Sequence, residues 1–133
     1  MDILVPANPY TTSELKAFFA LGLNFFSMGK FDEAMIIFEA LSLNGGLGIQ
    51  PALAVGEILL ALGRGQEAID YFQSLKVDEE YPAETWLLLA RGFLLQNDVD
   101  SARQYLAKIV ELKPAGPSGV LLQAQELLRY LSP

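Results

Sequence analysis

Cysteine and histidine are both absent from this chain. Without cysteine there are no disulfides, no thiolate nucleophile and no Cys-based metal site. Without histidine the usual general base and commonest zinc ligand are missing as well, so only carboxylates, lysines or tyrosines remain for proton transfer. Neither a metal nor another cofactor is expected, and an enzyme is disfavoured. Basic residues are scarce too. Nine Lys and Arg stand against sixteen Asp and Glu, a net charge of −7, and no Lys/Arg cluster offsets it locally. That is the wrong sign for neutralising phosphates, so nucleic acid is excluded as a partner. Although 52% of residues are hydrophobic and only 19% charged, no uncharged run approaches the roughly 18 residues of a spanning helix, which argues against stable membrane insertion. Met1–Tyr10 has no basic segment ahead of an apolar stretch, so no secretory signal is expected and a cytoplasmic location is favoured.

What the chain does contain is a repeat. Ala34, Ala68 and Ala102 stand 34 residues apart, and around them Leu21-Gly22 aligns with Val55-Gly56 and Leu89-Ala90. Phe25, Leu59 and Phe93 fall in register, as do Gly29, Gly63 and Asn97, then Phe38, Phe72 and Leu106. Small residues at Gly22, Gly56 and Ala90, facing those at Ala34, Ala68 and Ala102, allow two antiparallel helices to approach closely while the phenylalanines fill the space beside them. Gly29, Gly63 and Asn97 sit where a helix must end in the left-handed region, which glycine and asparagine reach at least cost.

Local signals place seven helices. Thr11 and Glu14 form a capping box ahead of a helix running to about Met28, followed by a partner from about Phe31 to Leu43. Pro51 lies in the first turn of the next helix, to about Leu62, and Gln66–Leu75 returns. A third hairpin reads Ala83–Gln96 and Val99–Leu112, with Asp98 as N-cap. A seventh helix carries Val120, Ala124, Leu127 and Leu131 on one stripe. The glycines at 45, 46 and 48 lack the Lys-Ser/Thr of a phosphate loop, and Asp78-Glu79-Glu80 reads as solvated charge in a linker.

A 34-residue period with these small and bulky places resembles the tetratricopeptide repeat, a likeness covering Leu15 to Gly116 and retaining Trp86 and Pro114 in the third unit. The resemblance implies an all-α, right-handed superhelical solenoid of three helix hairpins. Residues 1–14 form an extended arm and first cap, 15–48, 49–82 and 83–116 the repeats, and 117–133 a capping helix. It also implies that places 2, 5, 9, 12 and 13 of each repeat line a concave groove. Those places include Lys16, Phe19, Leu23, Phe26, Leu53, Glu57, Leu60, Glu84, Leu87, Arg91, Leu94 and Leu95, and eight of the fifteen are large and apolar. Some belong to the core in this reading, Leu95 first among them, and Ile3, Leu4 and Val5 could cover the stripe. Leu60 and Leu94 are expected to tolerate glutamate without loss of fold.

The lysines and asparagines of the chaperone-tail carboxylate clamp are replaced here by Phe19, Leu23, Ala54, Glu84 and Leu88. A short acidic three-repeat chain with an apolar groove instead resembles the bacterial type III secretion chaperones, the needle-subunit chaperones especially. That resemblance implies a protein or peptide client, an amphipathic helix above all, held back from premature self-assembly. The alternative is a general adaptor in a multiprotein complex. Homo- or hetero-oligomerisation is left open.

Overall fold

The computed structural model describes residues 8–75, 82–113 and 119–132. Residues 1–7, the acidic run at 78–80 and the 114–117 linker lie outside them. The described residues form seven α-helices and no strands: α1 (Thr12–Ser27), α2 (Phe31–Asn44), α3 (Gln50–Ala61), α4 (Gly65–Ser74), α5 (Pro82–Leu95), α6 (Val99–Leu112) and α7 (Val120–Leu131). Helix ends agree with the sequence expectation to within about one residue. The chain divides into two compact units, Met1–Ile58 and Leu59–Pro133, with the division inside α3.

In the first unit the capping box is complete. Thr11 Oγ1 accepts from the Glu14 backbone N–H at 3.1 Å, and Glu14 Oε1 accepts from the Thr11 N–H at 2.9 Å. These bonds hold the Glu14 carboxyl below its ordinary pKa, the backbone bond contributing most. The hairpin turn carries Gly29 at φ 73°. α2 then runs back along α1, with Phe26 against Phe31 at 5.5 Å between ring centroids and Phe19 against Phe38 at 5.2 Å. The approach is as close as the small residues anticipate: a Cβ on Gly22 would lie 2.7 Å from the fully buried Phe38 ring. Ala34 is sealed completely.

The second unit repeats this logic. Gly63 (φ 74°) and Asn97 (φ 60°) turn the chain between helices, and Asp98 caps α6 by accepting from Ser101 Oγ at 2.7 Å and Ser101 N–H at 3.1 Å. Between α4 and α5 there is a contact that the repeat pattern did not point to. A Cβ on Gly65 would meet Leu95 Cβ at 2.7 Å and the Gly92 carbonyl oxygen at 2.8 Å, and one on Gly92 would meet Ile69 at 3.0 Å. Two glycines thus bring these helices to near backbone contact.

The core of α5, α6 and α7 gathers Ala83, Leu87, Ala90, Ala102, Leu106, Ile109, Val120 and Ala124, with Leu127 and Leu131 packed against it. The apolar stripe of α7 therefore covers this core as expected. Arg103 Nη2 donates to the Leu131 carbonyl, satisfying one of the acceptors that the end of α7 leaves open. Phe93 stacks on Tyr105 at 5.8 Å, and Lys108 Nζ lies 5.1 Å from the Tyr105 ring and 5.6 Å from Trp86.

Candidate functional site

Six of the expected groove residues lie in the first unit. α1 presents Lys16 and Leu23 to solvent, Leu23 at 47% exposure, while Phe19, Phe26, Leu53 and Glu57 are half-buried. Part of Phe19 is committed to the hairpin through its contact with Phe38. Leu23 and Phe26, one turn apart on α1, and Ala54 and Glu57, one turn apart on α3, meet over Phe38 around a cleft of about 140 Å³. Phe26 and Phe38 give it aromatic surface, Leu23 and Ala54 aliphatic surface, and Glu57 a single carboxylate, a setting for an apolar side chain.

The other six lie in the second unit, and here the expectation needs correcting. Leu60 is only 8% exposed and Leu87 6%, so neither lines an open surface. Leu87 is a member of the core shared with α6 and α7. Leu60 follows Ile58 and Leu59, both buried, so consecutive residues of α3 point inward in different directions, as in a helix covered on most sides. Glutamate at Leu60 would place a carboxylate at a buried position. Leu95 departs the other way: expected first among the core residues, it is 47% exposed, and its Cβ faces the Gly65 backbone. Glu84, Arg91 and Leu94 are half-buried on α5, Leu94 at the margin of the core.

A second apolar hollow, of about 280 Å³, was not anticipated. Tyr10, Phe18, Ile36, Ile37, Ala40 and Leu41 line it between α1 and α2, away from the repeat places assigned to the groove. The signal was present in α2, where Ile36, Ala40 and Leu43 are apolar in addition to the buried Ala34, Phe38 and Leu41. A helix apolar on two faces expects cover on both.

Among the described residues no acidic cluster could hold a metal ion, and no helix is long and apolar enough to cross a membrane.

Comparison with known proteins follows these features. Models of the tetratricopeptide repeat match residues 19–85 and 84–114, overlapping at residues 84 and 85. PcrH from Pseudomonas aeruginosa has a similar crystal structure at 22% identity, with a TM-score of 0.81 over 96% of this chain and 98% of that one. The type III secretion translocator chaperone SycD from Yersinia enterocolitica is similar at 21% identity and a TM-score of 0.79, over 93% and 96% of the two chains. A type III secretion complex from Aeromonas hydrophila contains a chain 26% identical, with a TM-score of 0.75 over 91% of this chain and 82% of its own. No curated protein sequence matches. With half of its length under one repeat model and a further stretch under a second, the chain belongs to the tetratricopeptide repeat family.

Proposed function

We propose that this protein is a non-catalytic, cytoplasmic chaperone of a type III secretion system, which holds an amphipathic segment of an export client and prevents its premature self-assembly. The observation that carries this reading is the likeness to PcrH along nearly the whole of both chains. PcrH has been solved with the chaperone-binding regions of PopD and PopB, and SycD with a peptide of the translocator YopD. The sequence resemblance pointed to needle-subunit chaperones. Because these similar structures are of translocator chaperones, the client proposed for this chain is of translocator type.

The cleft bounded by Leu23, Phe26, Ala54 and Glu57 supports the reading physically, since it offers an apolar seat with room for one anchor side chain of a client. Within the first unit, Lys16, Phe19, Leu53 and Glu57 are assigned to the surroundings of that anchor. In the second, Glu84, Arg91, Leu94 and Leu95 are assigned to client contact on their own face of α5. Binding works by mass action: occupation of the client's self-assembly segment keeps the client monomeric, and no nucleotide is needed.

The test uses tagged protein expressed in its native cell, with co-purified partners identified by mass spectrometry. Burial of one aliphatic anchor contributes about 1.5–3 kcal/mol, so Leu23→Glu should weaken binding by about 10- to 150-fold and release the client while leaving thermal unfolding unchanged. Because the contact is apolar, client retention should survive a rise from about 0.05 to 0.5 M salt. Retention by Leu23→Glu, or partners that are all non-exported components of an intracellular assembly, would overturn the proposal in favour of a general adaptor.

A further inference from the structure

The sequence contains one Asn-Gly pair, Asn44-Gly45; the other asparagines precede Pro9, Phe25 and Asp98. In such a pair the glycine nitrogen has no side chain beside it to obstruct its approach to the asparagine side-chain carbon, so ring closure between the two is least hindered there. The fold places the pair where α2 ends, with Asn44 as the last helical residue and Gly45 as the left-handed cap at φ 80°.

Each group that ring closure would use is already engaged. The Gly45 N–H, whose nitrogen would attack, donates to the Leu41 carbonyl at 3.2 Å. Asn44 Nδ2, the group that would leave, donates to Asn8 Oδ1 at 3.0 Å. Asn44 Oδ1 accepts from Asn8 Nδ2 at 2.5 Å and from the Gly46 N–H at 3.0 Å. Asn8 is oriented in turn by the Tyr10 N–H, 3.1 Å from its Oδ1, so the two side-chain amides meet in a fixed sense. Gly46 leaves room for them, since a Cβ there would lie 2.6 Å from Asn8 Nδ2 and 2.8 Å from Asn44 Oδ1. To bring its Cγ onto the Gly45 nitrogen, the Asn44 side chain must turn and give up both bonds to Asn8.

We propose that Asn44 is a deamidation site held in check by its pairing with Asn8. When the pair opens, the Gly45 nitrogen loses its proton to water and bonds to Asn44 Cγ, the Cγ–Nδ2 bond breaks, and ammonia leaves. Water opens the resulting succinimide at either carbonyl, giving aspartate or isoaspartate at position 44. One water is consumed and one ammonia released, with no oxidant or cofactor. The pair cannot re-form afterwards. A carboxylate is an acceptor only, so Asn8 Oδ1 would face an oxygen at the place, 3.0 Å away, where it now meets a donor. Isoaspartate in addition lengthens the backbone by a methylene at the end of α2. Either product frees Asn8 from α2, and with it the turn to Tyr10, which walls the apolar hollow between α1 and α2. Deamidation therefore opens that hollow.

The test follows the purified full chain in mildly alkaline buffer made with heavy-oxygen water, with peptide mass spectrometry to measure label entering position 44. Conversion should be slow in the native protein and fastest in the urea-unfolded chain. Asn8→Ala, which leaves Asn44-Gly45 intact, should convert about tenfold faster than wild type at unchanged helical circular dichroism, as expected for the loss of two hydrogen bonds. In a second measurement, Asn8→Ala and Asn44→Asp should each lower Tm, and the double variant should lower it no further than the larger of the two. Equal conversion in wild type and Asn8→Ala, or in folded and unfolded wild type, would overturn the proposal. So would acceleration in Asn8→Ala that comes only with loss of the helical signal, because protection would then belong to the hairpin as a whole. Additive losses of Tm would overturn the coupling of the two asparagines. None of these outcomes bears on client binding through Leu23.

Discussion

The Gly65–Gly92 contact supports a quantitative prediction in which two opposing effects can be told apart. Alanine is the better helix former, so Gly65→Ala would by propensity alone stabilise α4 by up to about 1 kcal/mol, and by less at its first residue. The new Cβ, however, would stand 2.7 Å from Leu95 Cβ and 2.8 Å from the Gly92 carbonyl oxygen. Neither atom can rotate away, since one is backbone and the other is fixed to it. α4 and α5 must separate by about 0.7 Å to restore ordinary contact, which loosens Ile69 against Gly92. Overpacking of this kind costs about 1–3 kcal/mol, leaving a net loss of about 1–2 kcal/mol and a fall in Tm of about 4–8 °C. Gly63 provides the contrast. A Cβ there meets nothing within 4 Å, but φ is +74°, so Gly63→Ala costs backbone strain of about 1 kcal/mol, and Gly63→Asn should recover part of it. At Gly65 the order reverses, with Asn worse than Ala because it is larger. Thermal and denaturant unfolding followed by far-UV circular dichroism decides the matter. A Gly65→Ala protein as stable as wild type or more so, or the same Ala-to-Asn order at both glycines, would refute the close approach of the two helices.

Two further outcomes follow from the packing and the caps. Leu60→Glu places a carboxylate at a site only 8% exposed and should cost about 3 kcal/mol or more, seen as a drop in Tm of about 10 °C or loss of the folded state; an unchanged melt would return Leu60 to an open surface. The Asp98 pKa is lowered by the Ser101 hydroxyl first and the Ser101 N–H second, so its folded value lies below its unfolded one. Its contribution to stability is present above the unfolded pKa and is lost as pH falls through the folded one. Asp98→Asn should therefore flatten the loss of stability below about pH 4 in denaturant titrations, and an identical pH slope would sink the argument.

The features that were legible from sequence are those governed by near neighbours in the chain. Gly29, Gly63 and Asn97 take positive φ because each ends a helix within a tight hairpin, and Thr11 with Glu14 caps α1 through bonds spanning three residues. The alanines at 34, 68 and 102 are sealed because a small side chain invites close approach wherever the facing helix lies. The candidate site was less legible. Leu60, Leu87 and Leu95 occupy equivalent kinds of place in the repeat, yet two are buried and one is exposed. The exposed one sits against a glycine that offers no side chain to cover it, whereas Leu87 meets the apolar stripe of α7 in a shared core.

By itself the sequence determined the helices of the described residues, their limits and the pairing of α1 with α2 and of α5 with α6, since these rest on local conformational preference and the repeat. Only the tertiary structure decided which apolar side chains remain available and where cavities open. It placed Asn8 on Asn44 and Gly65 on Gly92. Burial is a property of the facing element, so a repeat that assigns every place the same chemistry cannot assign it the same exposure.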